Sequence, residues 1–134
     1  MKPLLVDTGP LVALLNRGDP DHSACVAVLE QEPGALVTTW AVVTKAMDLL
    51  ADALPAQVSI LAMIESSRLA IVDGLGDVAR IGELMRKYRD LPMDFADATL
   101  VALAEREGLA RVFTLDSDFR VYQLRRRGAF EILP

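Results

Sequence analysis

Short, uninterrupted apolar runs alternate along the chain with longer segments whose apolar residues recur every three or four positions. An uninterrupted run is typical of a strand buried on both faces of a parallel sheet. Spacings of three and four are typical of helices with one apolar face. The short runs predict strands over 3–6, 35–37, 69–72, 111–115 and 130–133. The first of the longer segments predicts a helix that begins near Thr8 and Pro10. The others predict helices over 21–32, 40–53, 55–65, 77–88, 94–107 and 118–127.

Residues at the segment ends support these boundaries. Thr39 is a suitable N-cap for the helix that follows it, and Pro33-Gly34 ends the helix before it. Gly108 suits a left-handed C-terminal cap, and Gly128 would close the last helix. Because strands and helices alternate, we predict one α/β domain over 1–134 with a largely parallel sheet.

Composition narrows the class of protein. The 134 residues are 52% hydrophobic and 25% charged, which is typical of a single folded domain. No apolar run approaches the roughly 20 residues that span a bilayer, so we expect no membrane segment. The apolar stretch before Asp7 is too short for a signal peptide, and we therefore expect a cytoplasmic protein. Cys25 is the only cysteine and His22 the only histidine, which excludes a cysteine-based zinc site.

The charge balance does not favour a broad nucleic-acid surface. The formal net charge is −5, whereas domains that bind phosphates usually carry a basic face. Any affinity for RNA must therefore be local. Basic residues cluster at 86–89, at Arg106 with Arg111, and at Arg120 with 125–127. Each cluster can also be interpreted as a solvated helix end, where cations are favourable.

Four aspartates are the strongest candidates for chemistry. Asp7 and Asp116 follow predicted strands, at the edge where α/β domains build their sites. Asp94 and Asp97 lie one turn apart at the start of a helix, where they can also be interpreted as capping residues. The small apolar stretch 98–104 indicates a buried helix, so we expect its acids to face a site.

Converging carboxylates repel each other, and a divalent cation relieves that repulsion. Ligand sets made only of oxygen favour Mg²⁺ or Mn²⁺. Such a metal can activate a water and stabilise charge on a phosphodiester. The residues alone therefore indicate metal-assisted phosphoryl chemistry.

Four motifs in order resemble the PIN-domain family, and most closely its VapC-like toxins. They are Val6-Asp7-Thr8, Thr38-Thr39-Trp40, the segment 91–98 around Asp97-Ala98, and Phe113-Thr114-Leu115-Asp116 with Asp118-Phe119. The resemblance implies a three-layer sandwich whose five-stranded parallel sheet has the order 3-2-1-4-5, flanked by helices. It also implies a Mg²⁺ or Mn²⁺ site and cleavage of single-stranded RNA.

The resemblance assigns roles to individual residues. The family's first, third and fourth acids match Asp7, Asp97 and Asp116, which it implies are both catalytic residues and metal ligands. Asp94 is expected as a further metal ligand, and Asp118 and Thr8 as accessory residues.

The family's second acid, a glutamate in the helix after the second strand, is replaced here by Lys45. The exchange alters the charge of the site by two units, which at an effective dielectric of 20 outweighs a weak metal site. Lys45 could pair with the site acids and neutralise them without metal, or it could extend its amine to solvent. Asp48, one turn later, would have to reach the site from a displaced position.

Two functional hypotheses follow. The first is a metal-dependent endoribonuclease of the VapC-like type whose activity Lys45 impairs. The alternative is a catalytically inactive PIN-fold binding module that acts through an antitoxin-like small protein or an RNA partner. A phosphatase with Asp7 as nucleophile is disfavoured because Gly9 does not supply the paired acid that such enzymes need.

An excess of apolar residues over three consecutive helices predicts association. We expect a homodimer, with a groove that accepts a partner helix. The residues on which this expectation depends are Val26, Val28, Leu29, Val42, Met47, Leu49, Leu50, Leu61 and Met63.

Overall fold

A five-stranded parallel sheet forms the centre of the computed structural model, which describes residues 2–134. Its strands are β1 (Leu4–Val6), β2 (Leu36–Thr38), β3 (Leu69–Ile71), β4 (Arg111–Phe113) and β7 (Glu131–Leu133). Their order is β3-β2-β1-β4-β7, which confirms the predicted order of the five strands. The chain leaves β1 towards one edge and returns to β4 on its other side. The switch point between β1 and β4 is where an open α/β sheet forms its ligand crevice.

Helices flank this sheet. They are α1 (Thr8–Leu14), α2 (His22–Gln31), α3 (Trp40–Leu49), α4 (Leu54–Glu65), α5 (Val78–Lys87) and α6 (Phe95–Glu107). Helix α3 packs against α1 and α6, and α6 packs against α5. No helix within residues 2–134 is long and apolar enough to cross a membrane.

Helix α6 is the most buried helix of the fold, as its small apolar residues predict. Residues 96–104 are all buried. Asp94 caps its beginning, and Gly108 ends it in the left-handed conformation with φ 66°. The first turn of α6 is therefore held close to the sheet, where its acids are protected from bulk water.

The helix predicted over 118–127 is wrong. The structure has a 3-10 turn at Ser117–Arg120, followed by β5 (Gln123–Leu124) and β6 (Gly128–Ala129), which pair antiparallel. Arg126 and Gly128 have positive φ angles of 70° and 74°, which an α-helix does not allow.

Two aromatic side chains explain why the hairpin replaces the helix. Phe119 and Tyr122 are fully buried, and their rings meet edge to face with centroids 5.0 Å apart. Phe119 and Tyr122 have the spacing of three that predicts a helix, but Phe119 lies in the 3-10 turn and Tyr122 directly precedes β5. Tyr122 is thereby carried to the site described next.

Candidate metal centre

Three aspartates from distant parts of the sequence meet at the carboxyl edge of the sheet. Asp7 follows β1, Asp116 lies just beyond β4, and Asp97 is in the first turn of α6. One carboxylate oxygen of each lies within 4.8 Å of the others. Asp7 and Asp97 are each only 4% exposed, and Asp116 is partly buried. We call these three residues the acid cluster.

Neutral donors position the acid cluster. Thr114 Oγ1 donates to Asp7 Oδ2 at 2.8 Å and accepts from the Asp116 backbone N–H at 3.0 Å. One hydroxyl therefore connects two of the three acids. The third is fixed from the hairpin, because the Tyr122 hydroxyl donates to Asp97 Oδ2 at 2.8 Å.

Some buried oxygens at the cluster have no partner among residues 2–134. Asp7 Oδ1 and Thr8 Oγ1 are both buried without a hydrogen bond. A carboxylate oxygen removed from water without a donor or cation is costly to bury. The orphaned oxygen belongs to the same residue that contributes to the three-carboxylate group. The residues therefore fit a hard divalent cation, which prefers oxygen ligands.

The pKa values of two acids in the cluster are shifted by their surroundings. Burial raises the pKa of Asp7 above its ordinary value. Burial, followed by the negative charge of Asp7, raises the pKa of Asp97 from 3.8 to about 7. Both shifts mean that the folded site disfavours charged carboxylates when no cation is bound. A bound cation would reverse this preference.

Lys45 does not lie within the acid cluster. Its Nζ is 2.5 Å from Asp94 Oδ2, and the two side chains are 43% and 44% exposed. The structure thus pairs Lys45 with Asp94, at the rim, rather than with one of the three buried acids. Burial lowers the pKa of Lys45, but the hydrogen bond to Asp94 and the charges of Asp94, Asp97 and Asp7 raise it above its ordinary value overall.

Asp94 has a structural role that the sequence also suggested. Its Oδ1 accepts from the Asp97 backbone N–H at 2.8 Å, which caps α6. Burial alone would raise the pKa of Asp94, but this backbone N–H and the Lys45 amine lower it. With one oxygen on the helix end and the other on Lys45, Asp94 is not brought into the three-carboxylate group.

The remaining predicted residues lie around the cluster. Thr8, the first residue of α1, is buried next to Asp7. Asp118 approaches through its backbone, since its N–H donates to Asp116 Oδ1 at 2.9 Å. Asp48 is exposed on α3 and is not part of the three-carboxylate group.

Sequence reasoning missed two positioning groups, the hydroxyls of Thr114 and Tyr122. Thr114 lies two residues before Asp116, so its place at the end of a strand was a usable signal. Tyr122 offered none, because the predicted helix over 118–127 would have placed it differently.

The comparisons with known proteins agree with the geometry. The model of the PIN domain family matches residues 4–123. Ribonuclease VapC26 of Mycobacterium tuberculosis (strain ATCC 25618 / H37Rv) is 26% identical over 135 residues, an alignment that covers 98% of this chain and 100% of that protein.

Two solved structures have the same fold. The crystal structure of VapC20 from Mycobacterium tuberculosis, described as a Sarcin-Ricin loop cleaving toxin, superposes with a TM-score of 0.81. It is 22% identical, over 88% of this chain and 93% of that one. VapBC2 from Rickettsia felis, bound to a DNA fragment from their promoter, gives a TM-score of 0.72 at 15% identity, over 99% and 100% of the two chains.

Proposed function

Since the chain belongs to the PIN-domain family, we propose that it is a metal-dependent endoribonuclease that hydrolyses phosphodiester bonds of single-stranded RNA. One observation carries the proposal: the buried acid cluster contains a carboxylate oxygen, Asp7 Oδ1, with no partner among the described residues. Asp7 is the N-cap residue of α1, but its side chain makes no capping hydrogen bond there. A buried carboxylate oxygen without a donor is a suitable ligand for a divalent cation.

The acid cluster would hold Mg²⁺ or Mn²⁺ through Asp7, Asp97 and Asp116, and these are the proposed catalytic residues. The bound ion supplies a water of lowered pKa and positive charge next to the phosphodiester. The chain's own groups keep the ligands in place. Thr114 orients Asp7 and Asp116 together, and Tyr122 holds the second oxygen of Asp97.

Lys45 is proposed to weaken this site without filling it. Its ammonium neutralises Asp94, which sequence reasoning expected as a further metal ligand. Its positive charge also acts on Asp97 and Asp7. Both effects reduce the attraction of the site for a dication, so we expect a lower metal affinity and a slower ribonuclease than a carboxylate at position 45 would give.

The test is cleavage of a labelled single-stranded RNA at several Mn²⁺ concentrations, together with Mn²⁺-dependent thermal melting. Asp97→Asn should reduce cleavage by about 100-fold or more and remove the metal response, because it removes a ligand charge. Asp48→Asn is the matched control, since Asp48 is an exposed aspartate outside the acid cluster, and it should change neither measurement. RNA binding with no cleavage and no metal response in the parent would instead support the inactive binding module.

Partners and location belong to the same proposal. We expect an antitoxin-like small protein as partner, because the neighbour from Rickettsia felis is a VapBC2 assembly. A cytoplasmic location is part of the same proposal. We also expect a homodimer. Of the nine apolar residues on which that expectation depends, Val42 and Leu50 are buried in the core, whereas Leu49 and Leu61 are 60% and 50% exposed.

The exposed face of α4 is the dimer surface we propose. Leu54, Val58 and Leu61 recur on one side of this helix and are 67%, 53% and 50% exposed. Light scattering at high micromolar concentration should give twice the chain mass, and Val58→Glu should give the monomer. A monomeric parent under these conditions would contradict the dimer.

A further inference from the structure

A cavity of about 190 Å³ adjoins the acid cluster, because Asp116 is itself one of the residues that line it. Thr114, whose hydroxyl accepts from the Asp116 backbone N–H, also lines this cavity. A molecule that enters the cavity is therefore in contact with part of the proposed metal centre.

Arg120 supplies a positive charge to the same cavity. It ends the 3-10 turn whose beginning Asp116 caps, so one short element carries both residues. Phe119 anchors this turn in the core, and Arg120 is left exposed at its end. Arg120 forms no ion pair with any acid among residues 2–134. Its guanidinium is therefore available to an anion from outside the chain.

The three arginines that follow Arg120 in the same basic stretch of sequence face other parts of the molecule. Arg125 donates to Glu83 at 2.9 Å. Arg126 lines a cavity formed with α5 and α6 that contains no acid-cluster residue. Arg127 lines a cavity at the C-terminal end of α6, whereas the acid cluster uses the first turn of that helix. Arg120, by contrast, shares its cavity with an acid-cluster residue.

A phosphate of a strand bound at the acid cluster is the anion that this position favours. The chain has a formal net charge of −5, and the acid cluster adds local negative charge, so an RNA backbone needs a compensating cation close to the bound phosphodiester. A guanidinium can donate to two phosphate oxygens at once. The hydroxyl of Ser117 lines the same cavity and is a further donor for such an oxygen.

We propose that Arg120 is a substrate-binding residue, which holds the phosphate next to the phosphodiester that lies at the acid cluster. The inference rests on the proposed function and deepens it, because it names a residue that places the RNA backbone across the site. A contact to phosphate carries no sequence information, so Arg120 acts on every RNA sequence alike.

The salt dependence of RNA binding provides a direct test. Fluorescein-labelled hexauridylate and hexacytidylate are titrated by fluorescence anisotropy in EDTA, so that no cleavage intervenes, at a series of NaCl concentrations. On a single strand, each phosphate contact contributes about 0.7 to the slope of log affinity against log salt concentration. Arg120→Gln should therefore reduce the magnitude of this slope by about 0.7 and weaken the binding of both hexamers by about fivefold. Loss of a purely structural contact would not change the slope.

Two further variants assign the effect to this position. Arg68→Gln removes another exposed arginine directly before β3, at the opposite end of the strands from the acid cluster, and should change neither the slope nor the affinity. Arg120→Lys keeps the charge but loses the planar fork, so it should keep the slope and bind with intermediate affinity. If Arg120→Gln behaves like Arg68→Gln, the inference is overturned.

Cleavage in Mn²⁺ provides a second measurement on the same samples. Arg120→Gln should lower kcat/KM for both sequences by about the same factor as it lowers the affinity, whereas Arg68→Gln should leave kcat/KM unchanged. A loss confined to hexacytidylate would show recognition of the base and overturn the phosphate contact.

The two measurements separate this inference from the proposed function. Mn²⁺-dependent cleavage with equal kcat/KM in the parent and Arg120→Gln would refute only the contact made by Arg120. Binding that Arg120→Gln weakens, without any cleavage by the parent, would support the contact and refute the endoribonuclease. If the parent neither binds the hexamers nor cleaves them, both are wrong.

Discussion

Buried carboxylates occur in two regions of this molecule, and the two regions treat them in opposite ways. In the acid cluster, burial raises the pKa of Asp7 and Asp97. In the other region, α5 packs against α6. Burial there would also raise the pKa of Glu105, but Arg80 and the Arg125 backbone N–H lower it below its ordinary value. The residue types are alike, so the difference lies in what each carboxylate faces.

The ion-pair network of Arg80, Glu83, Glu105 and Arg125 shows what a structural arrangement looks like. Arg80 Nε lies 2.8 Å from Glu105 Oε1, and Arg125 donates to Glu83 at 2.9 Å. The network contains a cation for each acid. The acid cluster has hydroxyl donors and one lysine at its rim, which binds Asp94. The fold therefore gives its acids an ion-pair partner in one region and leaves buried acids without one in the other.

The largest expected effect is a fall in the free energy of unfolding as the pH rises in metal-free buffer, and it arises in the acid cluster. Below about pH 4 the Asp97 carboxyl is protonated in both states. Between about pH 4 and 7 the unfolded chain releases this proton while the folded chain keeps it, so the free energy of unfolding falls. Above about pH 7 both states are ionised and the loss is complete. We expect a loss on the order of 4 kcal/mol, measured by urea unfolding at a series of pH values.

Two controls belong to the pH series. Asp97→Asn should reduce the fall and leave the part that the raised pKa of Asp7 contributes. Saturating Mn²⁺ should reduce the fall in the parent, because a cation stabilises the ionised form. The lowered pKa values of Glu105 and Asp94 act with the opposite sign, but at pH values below about 4.5, outside this window. A flat profile between pH 4 and 7 in EDTA would contradict the assignment.

A smaller effect is expected from neutralising one acid in each region. Glu105→Gln removes the closer of two charged partners of Arg80, whose side chain is 19% exposed, and leaves it only Glu83 at 3.2 Å, so it should cost about 2 kcal/mol of unfolding free energy. Asp97→Asn keeps an oxygen that accepts from Tyr122 and removes the charge that burial and Asp7 disfavour, so the free energy of unfolding should increase. Urea melts at pH 7 in EDTA measure both. Equal losses would erase the distinction between the two regions.

The two regions also differ in how far the sequence predicted them. Asp7, Asp97 and Asp116 were identified because uninterrupted apolar runs locate strand ends and a small apolar helix indicates burial. The order of the strands came from the family resemblance, since periodicity does not determine which strands are neighbours. Whether the three acids act as the proposed metal ligands stays a prediction.

Other features depend on contacts between distant residues, and no local pattern reveals them. Lys45 and Asp94 are 49 positions apart, and only the packing of α3 against α6 shows that they pair. The segment 118–127 has helical spacing, yet the left-handed Arg126 and the buried Tyr122 belong to a hairpin. Tyr122 was invisible as a partner of Asp97 for the same reason. Arg80 and Glu105 in the ion-pair network are 25 positions apart and were equally hidden.

The smallest expected effect concerns Lys45, a cation at the rim of the acid cluster. Lys45→Glu replaces it with a carboxylate and removes the partner of Asp94. In EDTA the variant should melt below the parent, because like charges then face each other. With Mn²⁺ at about ten times its dissociation constant, the variant should gain about 1.4 kcal/mol, or about 4–7 °C, and cleave single-stranded RNA faster than the parent.

Three companion variants decide whether that gain comes from the site. Lys45→Ala removes the cation without adding a carboxylate and should lie between parent and Lys45→Glu in its Mn²⁺ response. Lys87→Glu makes the same charge change at the exposed end of α5 and should leave the response unchanged. Lys45→Glu combined with Asp7→Asn should show no cleavage, because the new carboxylate cannot replace the buried ligand. If the parent already responds to Mn²⁺ as strongly as Lys45→Glu, and Asp97→Asn abolishes that response, then Lys45 does not weaken the centre. In that case the ion pair with Asp94 would be sufficient to neutralise Lys45, and the acid cluster would bind metal with Lys45 at its rim.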